Sequence, residues 1–170
     1  MSTADSNGSQ QRGADTGTHL AGAIEGICHR LPVRIYYEDT DFSGIVYHAS
    51  YLRFMERGRS DFLRLAGVMH TALAAGETGE PLAFAVRAMT LDFLAPARID
   101  DVVMVETRFS GLAGARLTLV QQVVLAGGPQ AGRVLVSAEV TVVVITLEGR
   151  ARRLPPAVRE RLAAFLPPAG

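Results

Sequence analysis

The sequence predicts an α+β fold in which one antiparallel sheet wraps one long helix. Three observations carry that prediction. A short alternating segment precedes about five turns of amphipathic helix, and four long alternating or β-branched segments follow. The linkers joining the last three, Ser110-Gly111-Leu112-Ala113-Gly114 and Gly127-Gly128-Pro129-Gln130, are short and turn-rich, which makes those strands an antiparallel meander. A single helix with a wide apolar stripe must then be covered by the inner face of the sheet.

The elements follow in order. Residues 1–29 are rich in Ser, Thr, Gly, Gln and Ala without periodicity and read as a flexible tail, leaving residues 30–170 as a single domain. Val33, Ile35 and Tyr37 alternate with Arg34 and Tyr36 at strand spacing and lead into an acidic turn, Glu38 to Gly44. From Ala49 the period becomes helical. Tyr51, Leu52, Met55, Phe62, Leu63 and Ala66 share a stripe, Gly58 allows close approach to a neighbouring backbone, and Gly67 is a C-terminal stop. Residues 68–81 read as a short helical turn and a Gly/Glu/Pro loop. Strands are expected over about 82–94, then on Val103, Val105, Thr107 and Phe109, on Leu117, Leu119, Gln121, Val123 and Leu125, and over about 133–147. Pro155-Pro156 opens a last amphipathic segment with Val158, Leu162, Phe165 and Leu166 on one face.

Composition narrows the function classes. The 170 residues carry 17 basic and 17 acidic side chains, which argues against a general nucleic-acid binder. All the basic residues are Arg, so Schiff-base lysine chemistry is excluded. Neutrality is an average: residues 1–29 hold one Arg and three acids, residues 148–170 five Arg and two acids, so a local anion site stays open. One cysteine, Cys28, excludes an internal disulfide framework and a Cys-cluster metal site. The polar N-terminus lacks the apolar core of a secretory signal and no run is long enough to span a bilayer, so a cytoplasmic location is expected.

Chemistry concentrates in residues 36–48. Glu38, Asp39 and Asp41 crowd between a strand and a helix, and an apolar Gly-Ile-Val-Tyr-His stretch follows. A solvated turn whose acids favour the helix N-terminus explains Glu38 and Asp39 but not that stretch. Backbone N–H groups at a helix start can hold a developing oxyanion, and a carboxylate just upstream can act as nucleophile or general base. Asp41 is the best placed of the three. Asp39-x-Asp41 with His48 could instead ligate a divalent cation, although no further His or Cys spacing supports it. Adjacent Cys28-His29 reads as a thiol of no catalytic consequence, His70 as an exposed loop histidine, and Glu56 with Arg59 as a structural helix pair.

The stretch YYEDTDFSGIVYHASYLRFMERGRSDFL, residues 36–63, resembles the signature of the 4-hydroxybenzoyl-CoA thioesterase-type hotdog family, closest to its Tol–Pal-associated, YbgC-type branch. The likeness continues in AMTLDFLAPARIDD (88–101), in Gln121-Gln122-Val123 and in GRARRLP (149–155), and covers about residues 31–165. It implies a hotdog fold, pairing into dimers or dimers of dimers, and active sites at the subunit interface. It implies hydrolysis of an acyl-CoA thioester without a cofactor or metal, with Asp41 as the catalytic aspartate. The backbone at Tyr47 and His48, after Gly44, would supply the oxyanion donors, and the His48 side chain is a second catalytic candidate. Phe42-Ser43 stands where smaller residues are common, a difference that bears on acyl fit. Arg98, Arg150, Arg152 and Arg153 are the candidates for the CoA phosphates. Glu56 is the runner-up carboxylate, because some hotdog enzymes place an acid on the central helix. Two rival functions stand beside hydrolysis. One is a hotdog hydratase or dehydratase acting on acyl carrier protein substrates. The other is a module that binds acyl-CoA, acyl carrier protein or an envelope-machinery partner with little turnover.

Overall fold

A computed structural model describes residues 21–168. Strands β1 (Ala23–Glu25) and β2 (Cys28–Arg34) form a hairpin, and a 3-10 turn (Tyr37–Asp39) leads to helix α1 (His48–Leu65). A short helix α2 (His70–Ala74) precedes the long strands β3 (Leu82–Phe93), β4 (Val102–Ala113), β5 (Arg116–Leu125) and β6 (Val134–Thr146), and α3 (Pro156–Ala163) closes the chain. The six strands form one antiparallel sheet in the order β1-β2-β4-β5-β6-β3. The expected helix, four long strands and terminal helix are all present.

The expected tail boundary is corrected. Residues 1–20 lie outside the described residues, but 23–29 belong to the sheet: Gly26 turns the β1–β2 hairpin at φ 59°, and Cys28 to Arg34 pair with β4 from Arg108 to Val102. Their Gly/Ala/Ile/Cys composition has no alternation to read, and the partner strand lies far along the chain. Tyr37, expected on a strand, instead starts the 3-10 turn, because the Asp39 carboxylate captures the Tyr36 N–H at 3.0 Å.

Helix α1 lies across β2, β4 and β5 and buries Tyr51, Phe54, Met55, Phe62 and Leu63 against them. The inward alternation supplies the opposing layer: Val103, Val105, Thr107 and Phe109 from β4, and Leu117, Leu119, Gln121 and Val123 from β5. Gly58 sits at the closest approach, since a Cβ there would stand 2.9 Å from Val105 Cγ1. Two polar residues break the apolar layer. Gln121 Nε2 donates to the Met55 carbonyl at 2.9 Å and to Thr107 Oγ1 at 2.8 Å, tying helix to sheet. Helix α3 covers the far end of α1, with Phe165 edge-on to Phe62 at 5.2 Å. Strand β3 is the sheet's outer edge on the side α1 does not cover, and much of its length is exposed.

Candidate active site

The loop between the 3-10 turn and α1 is folded tightly onto itself. Asp41 N–H donates to Ile45 O at 2.9 Å and Gly44 N–H to Asp41 O at 3.0 Å, a reversal that Gly44 allows with φ 74°. Val46 N–H donates to Ala97 O at 2.9 Å, and Ile45 bridges to Arg98, so the β3–β4 connection backs the loop. Tyr51 fixes that connection, its hydroxyl accepting from Ala97 N–H at 2.8 Å. Asp39 is buried and structural: its carboxylate serves Tyr36, and its carbonyl accepts from Tyr47 N–H at 2.9 Å and from the Ser50 hydroxyl at 3.2 Å.

Asp41 is exposed. One oxygen, Oδ1, accepts from Ser43 N–H at 2.8 Å and from the Ser43 hydroxyl. These two bonds hold its carboxyl below the usual carboxylate range, and the nearby His48 adds a smaller push in the same direction. Oδ2 carries no hydrogen bond among the described residues. Asp41 and His48 share a cleft of about 410 Å³ with Tyr51, Phe93, Leu94 and Pro96, so a carboxylate and the head of an 18-residue helix face one largely apolar hollow.

The expected oxyanion donors separate here. Tyr47 N–H is taken by Asp39 O and Gly44 N–H by Asp41 O. The His48 N–H has no partner among the described residues and points out of the helix start, so of the three it is the amide left for a ligand.

The four arginines also separate. Arg98 flanks the Asp41 loop through its bridge to Ile45. Arg150, Arg152 and Arg153 follow the C-terminal end of β6, which pairs with Leu82, whereas Phe93 at the other end of β3 borders the Asp41 cleft. The length of β3 puts them roughly 35 Å away within one chain. Arg152 is paired with Glu80 at 2.9 Å, and Arg153 lines a separate groove with Arg159.

Among the described residues, no group of three or more His, Cys, Asp or Glu side chains is arranged to hold a metal ion. Cys28 and His29 are both buried; successive residues of a strand face opposite ways, and His29 Nε2 bonds Asp61 Oδ2 at 2.8 Å beneath α1. Asp61 also accepts from Gly22 N–H at 2.7 Å. His70, expected in a loop, opens α2 and lies edge-on to Phe84. Glu56 and Arg59 do not pair with each other: Ser60 donates to Glu56 Oε1 at 2.6 Å, and Arg59 Nη1 donates to Gln121 Oε1 at 2.7 Å. The Gln121 network went unrecognised in the sequence, although Gln121 and Thr107 occupy inward positions of otherwise apolar alternations, which is the available signal.

Among the described residues no helix is long and apolar enough to cross a membrane. The family model of the thioesterase-like superfamily matches residues 36–162. The chain is 42% identical to the acyl-CoA thioester hydrolase YbgC of Escherichia coli O6:H1 over 130 residues, 76% of this chain and 91% of the relative. A probable thioesterase from Bartonella henselae superposes with a TM-score of 0.70 at 47% identity, covering 75% of this chain and 99% of that one. A 4-hydroxybenzoyl CoA thioesterase structure shares the fold, with a TM-score of 0.71 at 18% identity over 79% of this chain and 98% of that one. With its antiparallel sheet curled round one long helix in the hotdog manner, the chain belongs to the thioesterase-like superfamily.

Proposed function

We propose that the protein hydrolyses acyl-CoA thioesters, with Asp41 as the reacting carboxylate and the His48 N–H as oxyanion donor. The observation that carries the reading is that an ionised carboxylate and the start of helix α1, whose His48 N–H has no partner among the described residues, border the same apolar cleft, in a chain similar to YbgC. The thioester carbonyl oxygen accepts from His48 N–H, where the helix dipole favours negative charge. Asp41 Oδ2 attacks the carbonyl carbon or takes the proton of an attacking water. The tetrahedral species collapses with cleavage of the C–S bond, and CoA leaves as a thiolate that needs no strong acid. A donor of this kind lowers the barrier by about 3–4 kcal/mol. Arg98, bridged to the loop at Ile45, is the cation assigned to the CoA phosphates in this reading.

A second copy of the chain completes this reading. β3 is a 12-residue edge strand whose outer hydrogen-bonding groups are unpaired among the described residues, and Val86 and Phe93 on it and Leu94 just after it are exposed. Pairing two such edges makes a homodimer, the unit from which a homotetramer would assemble, and brings the partner to each Asp41 cleft. Sedimentation should therefore give at least a dimer. A cytoplasmic location and an acyl carrier protein as alternative thiol carrier belong to the same reading.

Thiol release from short-chain, long-chain and aromatic acyl-CoAs tests it, comparing the parent with Asp41→Asn. The expected loss in Asp41→Asn is about 10²–10⁴-fold. A parent that releases no thiol from any of them leaves the binding-module reading in its place. A rate retained in Asp41→Asn moves the chemistry to Glu56 or the His48 ring.

A further inference from the structure

Asp41 stands on an exposed loop, and a carboxylate in such a place turns freely unless something holds it. The backbone beneath it is fixed: Asp41 N–H donates to Ile45 O and Gly44 N–H to Asp41 O, which closes a tight turn over residues 41–44. That settles where the side chain leaves the loop, not where its oxygens point. Rotation about χ1 still offers three staggered positions, and χ2 of an aspartate is broad. Asp41 belongs to none of the ion pairs among the described residues, so no cation orients it at contact distance. Its side-chain hydrogen bonds among the described residues both come from Ser43, and both end on Oδ1.

The two bonds owe different things to the sequence. The bond from Ser43 N–H, at 2.8 Å, is open to any residue at position 43 except proline. The bond from the hydroxyl exists because that residue is serine. A hydroxyl has one proton to give, and here it goes to a charged acceptor, which makes the bond roughly twice as strong as one between neutral groups. Ser43 is exposed, and its hydroxyl has no other partner among the described residues, so the packing of the chain makes no use of it. With two donors on Oδ1, the oxygen left open is Oδ2, on a carboxylate that borders the cleft with His48 and Tyr51.

We propose that Ser43 is a positioning residue for the reaction: its hydroxyl locks the Asp41 rotamer, occupies Oδ1 and thereby makes Oδ2 the reacting oxygen. The inference rests on the thioesterase reading above. Thiol release from acetyl-, hexanoyl-, palmitoyl- and benzoyl-CoA tests it, read on the ester that the parent cleaves fastest. At pH 8 an aspartate is ionised with or without the hydroxyl, so the rate there reports orientation alone. Ser43→Ala should lower kcat about ten- to a hundredfold with KM and the urea midpoint unchanged, and Ser43→Thr should restore most of the rate. A parental kcat in Ser43→Ala, a Ser43→Thr variant as slow as Ser43→Ala, or a rate loss matched by a lowered urea midpoint overturns the role. A loss as deep as that of Asp41→Asn also overturns it, because Ser43 would then be the reacting group itself. If the parent releases no thiol from any of the four esters, hydrolysis is the reading that fails. The hold on Asp41 is then still decided by NMR titration of its carboxyl carbon. Ser43→Ala should move the midpoint up towards the ordinary carboxylate value; the smaller pull of His48 is present in both proteins and cancels. Equal midpoints would show that the hydroxyl does not hold the carboxylate.

Discussion

Replacing Gly58 by Ala sets two known effects against each other. On an exposed helix the change gains about 1 kcal/mol from backbone entropy and propensity. At Gly58 the added Cβ would lie 2.9 Å from Val105 Cγ1, 3.1 Å from Thr107 Oγ1 and 3.5 Å from Gln121 Nε2. Favourable carbon contacts begin near ~3.5 Å, so the Val105 contact is short by about half an ångström. Neither near neighbour can step aside. Val105 is fully buried on β4 between β2 and β5 and is stiff at its branched carbon, and the Thr107 hydroxyl is committed to Gln121. The helix itself must lift, at an overpacking cost of about 1–3 kcal/mol. The net expectation is a loss of about 1 kcal/mol, or roughly 2–4 °C in Tm for a chain of this size. Calorimetry and urea titration of parent and Gly58→Ala read it directly. A variant as stable as the parent, or more so, would show that α1 does not rest on the sheet at Gly58 and would refute the packing described.

Tyr51→Phe removes the acceptor of Ala97 N–H and leaves that amide unsatisfied in a buried place, so urea unfolding should register a loss of about 1–3 kcal/mol. The same change loosens the backing of the Asp41 loop, and kcat should fall with stability. Burial pulls the His29 imidazole below its ordinary 6.5, outweighing the opposing pull of Asp61. The charged ring is therefore disfavoured in the folded state, and this contribution to stability is complete above about pH 6.5 and lost as pH falls through the lowered value. The slope should be at most about 1.4 kcal/mol per pH unit. His29→Phe should flatten the pH dependence of the urea midpoint just below pH 6.5, and an unchanged slope would exclude His29 as its source. Asp41, held ionised by Ser43, predicts a thiol-release rate that does not fall between pH 8 and 5 on its account; a fall across that range would show that a group other than Asp41 sets the rate.

Features with a local cause could be read from the sequence. The stripe from Tyr51 to Leu63 and the alternation through β4 and β5 depend on period alone, and they place the helix and the layer beneath it correctly. The long signature around Asp41 and His48 brings both to one cleft. What escaped the reading depends on partners distant in sequence. Residues 23–29 show no period because their order comes from the β1–β2 hairpin and from the pairing of β2 with β4. Tyr47 N–H is spent on Asp39 O, a pairing decided by how the loop doubles back rather than by residue type. Arg150, Arg152 and Arg153 look like neighbours of any anion site, yet the sheet carries them to the end opposite Asp41. Gln121 was visible as an inward-facing polar residue, but its tie to Arg59, 62 residues away, was not.

The sheet order also constrains how the chain can be made. β3 bonds only to β6 within the chain, Leu82 to Thr146 and Phe93 to Val136, while β4 and β5 pair with other neighbours. As the polypeptide leaves the ribosome, β3 emerges long before the strand that will hold it. A chain arrested before residue 134 would present twelve residues of open strand on both sides. Closing the β3–β6 ladder must wait for the last strand and bear the loop entropy of all that lies between. The strand that borders the Asp41 cleft is thus the last of the sheet to be secured, so that cleft is completed only once β6 has emerged.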